Sequence, residues 1–130
     1  MKNKELQLKA LDKRQQMMNY WVAPSHKKKK MTQKEQQDRV VEIAETVCKY
    51  YNVTYGQVMS KYRGREVVLA RQMAMYLSKH KTELKAELIS QQFNRDRTTY
   101  LHSVDKIEGQ MTNKFDQSIK EDFFNLNVLI

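Results

Sequence analysis

Apolar residues recur in this chain at intervals of three and four, and little in the sequence can interrupt the helices that this spacing builds. Val40, Ile43, Ala44, Val47, Cys48 and Tyr51 keep the interval strictly. Sharp turns need glycine or proline, and 130 residues hold only three of the first and one of the second. Strand-like alternation is absent, so the expected fold is all-α. A hydrophobic content of 40% beside 30% charged residues allows one core of moderate size. The length leaves room for one domain plus an extension.

Four stretches are predicted. Residues 1–24 contain a basic amphipathic helix over 2–21, with Leu6, Leu11, Met18 and Trp21 on one face, ended by Pro24. Residues 25–31 are a lysine-rich linker whose run Lys27 to Lys30 is either a solvated tether or a phosphate-contacting arm. The domain proper, 32–110, opens on a capping box of Thr32 and Glu35. After a break at Asn52-Val53-Thr54 come a short helix near 55–60 and the cationic loop Lys61-Tyr62-Arg63-Gly64-Arg65. A helix over 66–80 carries Val67, Val68, Ala70, Met73, Ala74, Met75 and Leu77. Being apolar on most sides, it should be the central one. Thr82 is expected to cap a helix reaching about Gln92, with Leu84, Leu88 and Ile89 inward. A further helix from about Asp96 to Gln110 should bury Leu101, Val104, Ile107 and then Met111. Residues 111–130 read as a last helix or tail packing through Phe115, Ile119, Phe123 and Phe124.

Several function classes are set aside by the same reading. A single cysteine, Cys48, rules out an internal disulfide and a cysteine-rich metal site, and its apolar helical setting makes it a buried structural thiol. His26, His80 and His102 are scattered, and no Cys–His or Ser–His–Asp arrangement can be assembled, so no catalytic residue, metal or cofactor is expected. With no signal peptide and no apolar run near 18 residues, the expected location is cytoplasmic, with the nucleoid. The formal charge of +9 is uneven: residues 1–39 hold 11 Lys/Arg against 4 Asp/Glu, and residues 40–130 hold 13 against 11. Global basicity therefore describes the extension, and a binding role for the domain must rest on where its cations lie.

They gather at two places. The run Phe93-Asn94-Arg95-Asp96-Arg97-Thr98-Thr99-Tyr100-Leu101-His102 puts short polar and cationic side chains on the first turn of a helix with an apolar stripe behind them. A DNA-recognition helix needs that arrangement, because its N-terminal turn meets base edges while its far side packs on the domain. Thr98 and Thr99 can bond base edges or touch thymine methyls, and Arg97 can fork onto a guanine. Asp96 can cap the helix or accept from a cytosine amine. The helix pair 82–92 and 96–110 has helix-turn-helix dimensions. In the loop, Lys61, Arg63 and Arg65 suit phosphate contact or a narrow A·T minor groove. Arg71 and Lys79, eight residues apart on the central helix, share roughly one face that could track a phosphate backbone.

Arg71-Gln72-Met73-Ala74-Met75-Tyr76-Leu77, Thr82, Phe93, Arg95-Asp96, Thr98-Thr99 and Leu101-His102 resemble the C-terminal DNA-binding domain of the bacterial replication initiator DnaA. The resemblance covers about residues 32–110. It implies an all-helical domain, similar to the Trp repressor and containing a helix-turn-helix, that binds short asymmetric duplex sites as a monomer. By resemblance Arg63 and Arg65 take the place of minor-groove arginines. Arg71, Gln72 and Lys79 match backbone-contacting positions, and Asp96, Thr98 and Thr99 match major-groove readers; Lys61, Arg95 and Arg97 complete the expected DNA-binding set. Double-stranded DNA is the implied partner, in replication initiation or its regulation.

The chain departs from the pattern at three points. Arg97 stands where the family places a base-contacting histidine, Asn94 replaces a Gly-Gly pair in a turn one residue shorter, and Ala86-Glu87 replaces a Leu-Pro near the DNA backbone, where a carboxylate is repelled. A changed or relaxed sequence preference is therefore expected. No phosphate-binding glycine loop of the G-x-x-x-x-G-K-[ST] type is present, and 130 residues cannot hold an ATPase module. The expectation is a free-standing DNA-binding domain of the sort a phage or mobile element carries. The competing reading is a protein-interaction regulator or decoy of a host initiator with weak DNA binding, its 1–21 helix docking on another replication protein. Binding of that helix to an acidic membrane surface ranks last.

Overall fold

Thr32 and Glu35 close the capping box: the Thr32 hydroxyl accepts the Glu35 N–H at 3.2 Å, and the Glu35 carboxylate accepts the Thr32 N–H at 3.3 Å. In the computed structural model, which describes residues 2–19, 31–114 and 116–130, this box starts the helix Gln33–Tyr51. The described residues form seven helices and no strand: α1 (Lys4–Asn19), α2 (Gln33–Tyr51), α3 (Tyr55–Met59), α4 (Arg65–Lys81), α5 (Ala86–Gln92), α6 (Arg97–Thr112) and α7 (Gln117–Leu129). The fold is all-α. None of these helices is long and apolar enough to cross a membrane.

Asn52 ends α2 in the left-handed region, φ 56°, which a short polar side chain tolerates better than a branched one. Thr54 and Gln57 then form a second capping box, with both bonds at 3.1 Å, and start α3. The central helix is α4. Its Val67, Ala70, Met73, Ala74, Met75, Tyr76 and Leu77 are buried, and it packs against α2, α3, α5, α6 and α7. Cys48 lies in the same core, where burial and then the charge of Glu45 push its thiol up to about 11.

Four expectations about packing are corrected. Leu101 is 43% exposed, while Tyr100, Val104 and Ile107 face inward. The stripe 100-104-107-111 keeps helical spacing, and Leu101 lies about 100° around the axis from its neighbour. Thr82 closes α4 instead of opening the next helix. Its hydroxyl donates to the Ser78 carbonyl at 2.7 Å, and α5 begins only at Ala86. On α7, Ile119 is buried and Phe123 packs against the core, but Phe124 stays exposed. On α1, Leu6 packs against the core as expected, but Ala10 is buried while Leu11 is exposed with Leu8, because the inward face continues from Leu6 four residues on. Trp21, Pro24, Lys27 to Lys30, Phe115 and the side chain of Met18 lie outside the described residues.

The two terminal helices pack on each other and are fastened to α2. The Asn3 N–H donates to the Tyr50 carbonyl at 2.8 Å, and Lys2 Nζ lies 2.8 Å from Asp122 Oδ1. Asp122, 1% exposed, also accepts the Tyr50 and Tyr51 hydroxyls, each at 2.9 Å. Burial first, and the Asp122 charge with it, pushes Tyr50 up to about 12 and Tyr51 further in the same direction.

Candidate nucleic-acid interface

Helices α5 and α6 are joined by residues 93–96. Phe93 is fully buried in that turn, and its backbone N–H reaches the Ile89 and Ser90 carbonyls. Asn94 follows at φ 55°, one of two described non-glycine residues in the left-handed region. Asparagine takes this conformation more readily than most residues, which lets a single residue make the reversal. The Arg95 N–H then returns to the Ser90 carbonyl at 2.9 Å.

Asp96 is the N-cap of α6: its Oδ1 accepts the Thr99 N–H at 2.7 Å. Hydrogen bonding from Thr99 holds the Asp96 carboxyl below its ordinary range, so it stays ionised at the positive end of the helix. Arg97, Thr98 and Thr99 form the first turn of α6, and all three are exposed. Tyr100, Ser103, Val104 and Ile107 carry the opposite face into the core. The first turn thus presents two hydroxyls and a guanidinium to solvent on a helix that packing cannot let rotate.

The cationic loop is tied to this turn. Asn94 Nδ2 donates to the Met59 carbonyl at 3.3 Å, Arg95 Nη1 to the Asn94 carbonyl at 2.9 Å, and Arg95 Nη2 to the Ser60 carbonyl. The same Ser60 carbonyl accepts from Arg71 Nη2 at 2.9 Å. Lys61 and Arg63 are exposed immediately beyond it, and Arg65 is exposed at the first position of α4. Two groups of cations, far apart in sequence, are thereby held side by side.

Arg71 is turned inward. It is 6% exposed, and its Nε donates to the Val58 carbonyl at 2.7 Å. Its Nη2 donates to the carbonyls of Gln57 at 3.2 Å, Ser60 at 2.9 Å and Tyr62 at 3.0 Å. These four bonds engage Nε and Nη2 and tie Arg71 to the α3 end and the loop after it. Burial, followed by the nearby Arg95 charge, lowers its pKa from the ordinary value, but an arginine remains charged. Gln72 is half-buried beside it, whereas Lys79 is exposed in the last turn of α4 with His80 and Lys81. Arg71 and Lys79 therefore do not form one exposed row. Lys79 also lies some 21 Å along the helix from Arg65, at ~1.5 Å per residue, outside the loop cluster.

The intramolecular contacts of three residues of this region escaped the sequence reading. Asn94 and Arg95 act as tethers. Glu87, on the first turn of α5, lies with its Oε1 3.9 Å from Arg97 Nε, both side chains about 60% exposed. A charge of each sign at these two positions was the available signal.

Comparison with known proteins agrees with the geometry. The family described as bacterial DnaA protein helix-turn-helix matches residues 40–107. The chromosomal replication initiator protein DnaA of Lactobacillus acidophilus is 36% identical over 102 residues, 78% of this chain and 22% of the relative. That of Limosilactobacillus reuteri is 36% identical over 88 residues, 67% of this chain and 20% of the relative. That of Caldanaerobacter subterraneus is 38% identical over 77 residues, 59% of this chain and 17% of the relative. The chain thus spans about a fifth of the length of these proteins. Its match to the family runs from the core of α2 to Ile107 of α6 and takes in the loop, the turn and the tethers between them, and on this evidence the chain belongs to the bacterial DnaA helix-turn-helix family.

Proposed function

We propose that the chain binds double-stranded DNA sequence-specifically in replication initiation or its regulation, with the first turn of α6 in a major groove and the 61–65 loop in the adjacent minor groove. The observation that carries this reading is the Ser60 carbonyl shared by Arg71 and Arg95, which fixes the loop against the start of α6. A two-groove reader needs that fixed relation, because the distance between neighbouring grooves is set by the duplex. Thr98, Thr99 and Arg97 are the groove readers, Asp96 holds their turn, and Lys61, Arg63 and Arg65 supply the loop charge. Gln72 and Lys79 touch the backbone at the edges.

Binding should weaken steeply with salt, as it does wherever cations displace condensed counterions. Anisotropy titrations of a duplex selected from a random pool, against an unrelated duplex, test the reading; absence of salt-sensitive binding to either would sink it. Arg63→Ala is expected to weaken the selected duplex roughly tenfold, about 1.4 kcal/mol, and to make the log–log salt slope shallower by about one.

The pair Glu87 and Arg97 bears on specificity. The first helix of such a pair crosses the phosphate backbone, so the Glu87 carboxylate opposes every duplex while occupying the reader Arg97. Glu87→Gln should raise affinity for the unrelated duplex about threefold and narrow its gap from the selected one. Equal gains on both duplexes would show that the carboxylate acts as bulk charge alone.

A further inference from the structure

Resting on the duplex-binding reading, we propose that Tyr62 is a further DNA-contacting residue, its ring packing against deoxyribose in the groove that the loop enters. The loop carries a large aromatic side chain that is 54% exposed between Lys61 and Arg63. It contributes little to the core, and the main chain that carries it is held on both sides. Its N–H donates to the Ser60 hydroxyl at 3.1 Å, and its carbonyl accepts from Arg71 Nη2 at 3.0 Å. Its ring lies over Gly64, where a Cβ would run into ring atoms and force the tyrosine aside.

Gly64 adopts φ −55°, a conformation open to any residue, so backbone freedom is not what the position requires. The space belongs to the ring. The hydrogen bonds fix the Tyr62 main chain and the missing Cβ leaves room for its ring over Gly64, so an apolar face stands at the tip of a cationic loop before any ligand arrives. The sugar edges of a minor groove are the apolar surface that lies between phosphates, and apolar side chains are a regular part of minor-groove recognition. Lys61 and Arg63 supply the charge on either side, while Tyr62 supplies a contact that salt does not screen.

Charge and apolar contact leave different marks on the salt dependence. Anisotropy titrations of the full chain with the selected duplex, over a range of salt, would compare wild type, Tyr62→Ala, Tyr62→Phe and Arg63→Ala. Tyr62→Ala is expected to weaken binding about fivefold, the size given by loss of one aromatic contact face, with the salt slope unchanged. Tyr62→Phe keeps the ring and should bind like wild type. Both variants should unfold at the wild-type temperature, because the side chain is exposed. Wild-type affinity in Tyr62→Ala, or a loss accompanied by a shallower slope like that of Arg63→Ala, would overturn the proposal. Failure of wild type to bind either duplex would overturn the duplex-binding reading and this proposal with it, whereas a binding wild type with an unaffected Tyr62→Ala overturns this proposal alone.

Discussion

Replacing Arg71 with alanine is expected to destabilise the protein by about 3 kcal/mol and to lower affinity for the selected duplex on the order of 100-fold. Hydrogen bonds from a charged donor contribute about 1.5–3 kcal/mol each, and they are not additive. Arg71 makes four, to Gln57, Val58, Ser60 and Tyr62. In the variant some of these carbonyls would turn to water, which sets the loss well below the sum of the four. The structural cost falls on α3, a helix of five residues, and on the loop after it. A helix that short does not hold itself together and depends on its packing and anchors. The remaining tethers, Arg95 on Ser60 and Asn94 on Met59, hold one end of the loop only.

Loss of affinity would then come from ordering, since a loop free to wander must be fixed again on the duplex. Arg71→Lys should recover little of either quantity, because a single ammonium cannot span acceptors that a planar guanidinium reaches together. Urea unfolding and anisotropy, both at a temperature where the variant is folded, separate the two effects. Wild-type stability combined with lost binding would show that Arg71 touches the DNA directly, and the positioning role would be wrong.

Arg71 also marks where a sequence stops being informative. The helices were legible because caps and apolar spacing are local: Thr32 with Glu35 starts α2, and the strict stripe from Val40 to Tyr51 buries it. The exposed first turn of α6 was legible for the same reason, since Asp96 caps it and Arg97, Thr98 and Thr99 precede the apolar stripe. Adjacent apolar residues defeated the spacing. Tyr100 and Leu101 both fit an inward position, and tertiary packing chose the tyrosine. Thr82 failed differently. A threonine hydroxyl can bond forward as an N-cap or back to the carbonyl four residues earlier, and here it bonds back to Ser78. An arginine on a helix has the same spacing whether it faces solvent or a neighbour. The four carbonyls that claim Arg71 belong to a segment whose path no pattern specifies. The resemblance to a family assigns Arg71 to the DNA backbone and is silent on that path.

Asp122→Ala should be the other large loss, about 3–4 kcal/mol, with a fall in Tm on the order of 10–15 °C. The carboxylate is buried and accepts the hydroxyls of Tyr50 and Tyr51 while facing Lys2. The ion pair is the minor part. Lys2 remains about one third exposed, and an exposed lysine contributes at most ~1 kcal/mol, so Lys2→Ala should be mild. The hydroxyls decide the size of the effect, because alanine would strand both donors in the core, and a buried unsatisfied polar group costs about 1–3 kcal/mol.

Asp122→Asn separates charge from acceptor. Its carbonyl can satisfy one tyrosine, while its amide adds donors where acceptors are wanted, so about half of the loss should remain. Tyr51→Phe removes one donor with its bond and should be milder than either change at Asp122. Because the network joins α1 and α7 to α2, and none of its members belongs to the 60–64 loop or to the first turn of α6, duplex affinity below the unfolding transition should match wild type. An Asp122→Ala protein as stable as wild type would mean that α1 and α7 are held by their apolar contacts alone. Lost affinity in a folded Asp122→Ala protein would mean that the terminal helices position the DNA-binding turn.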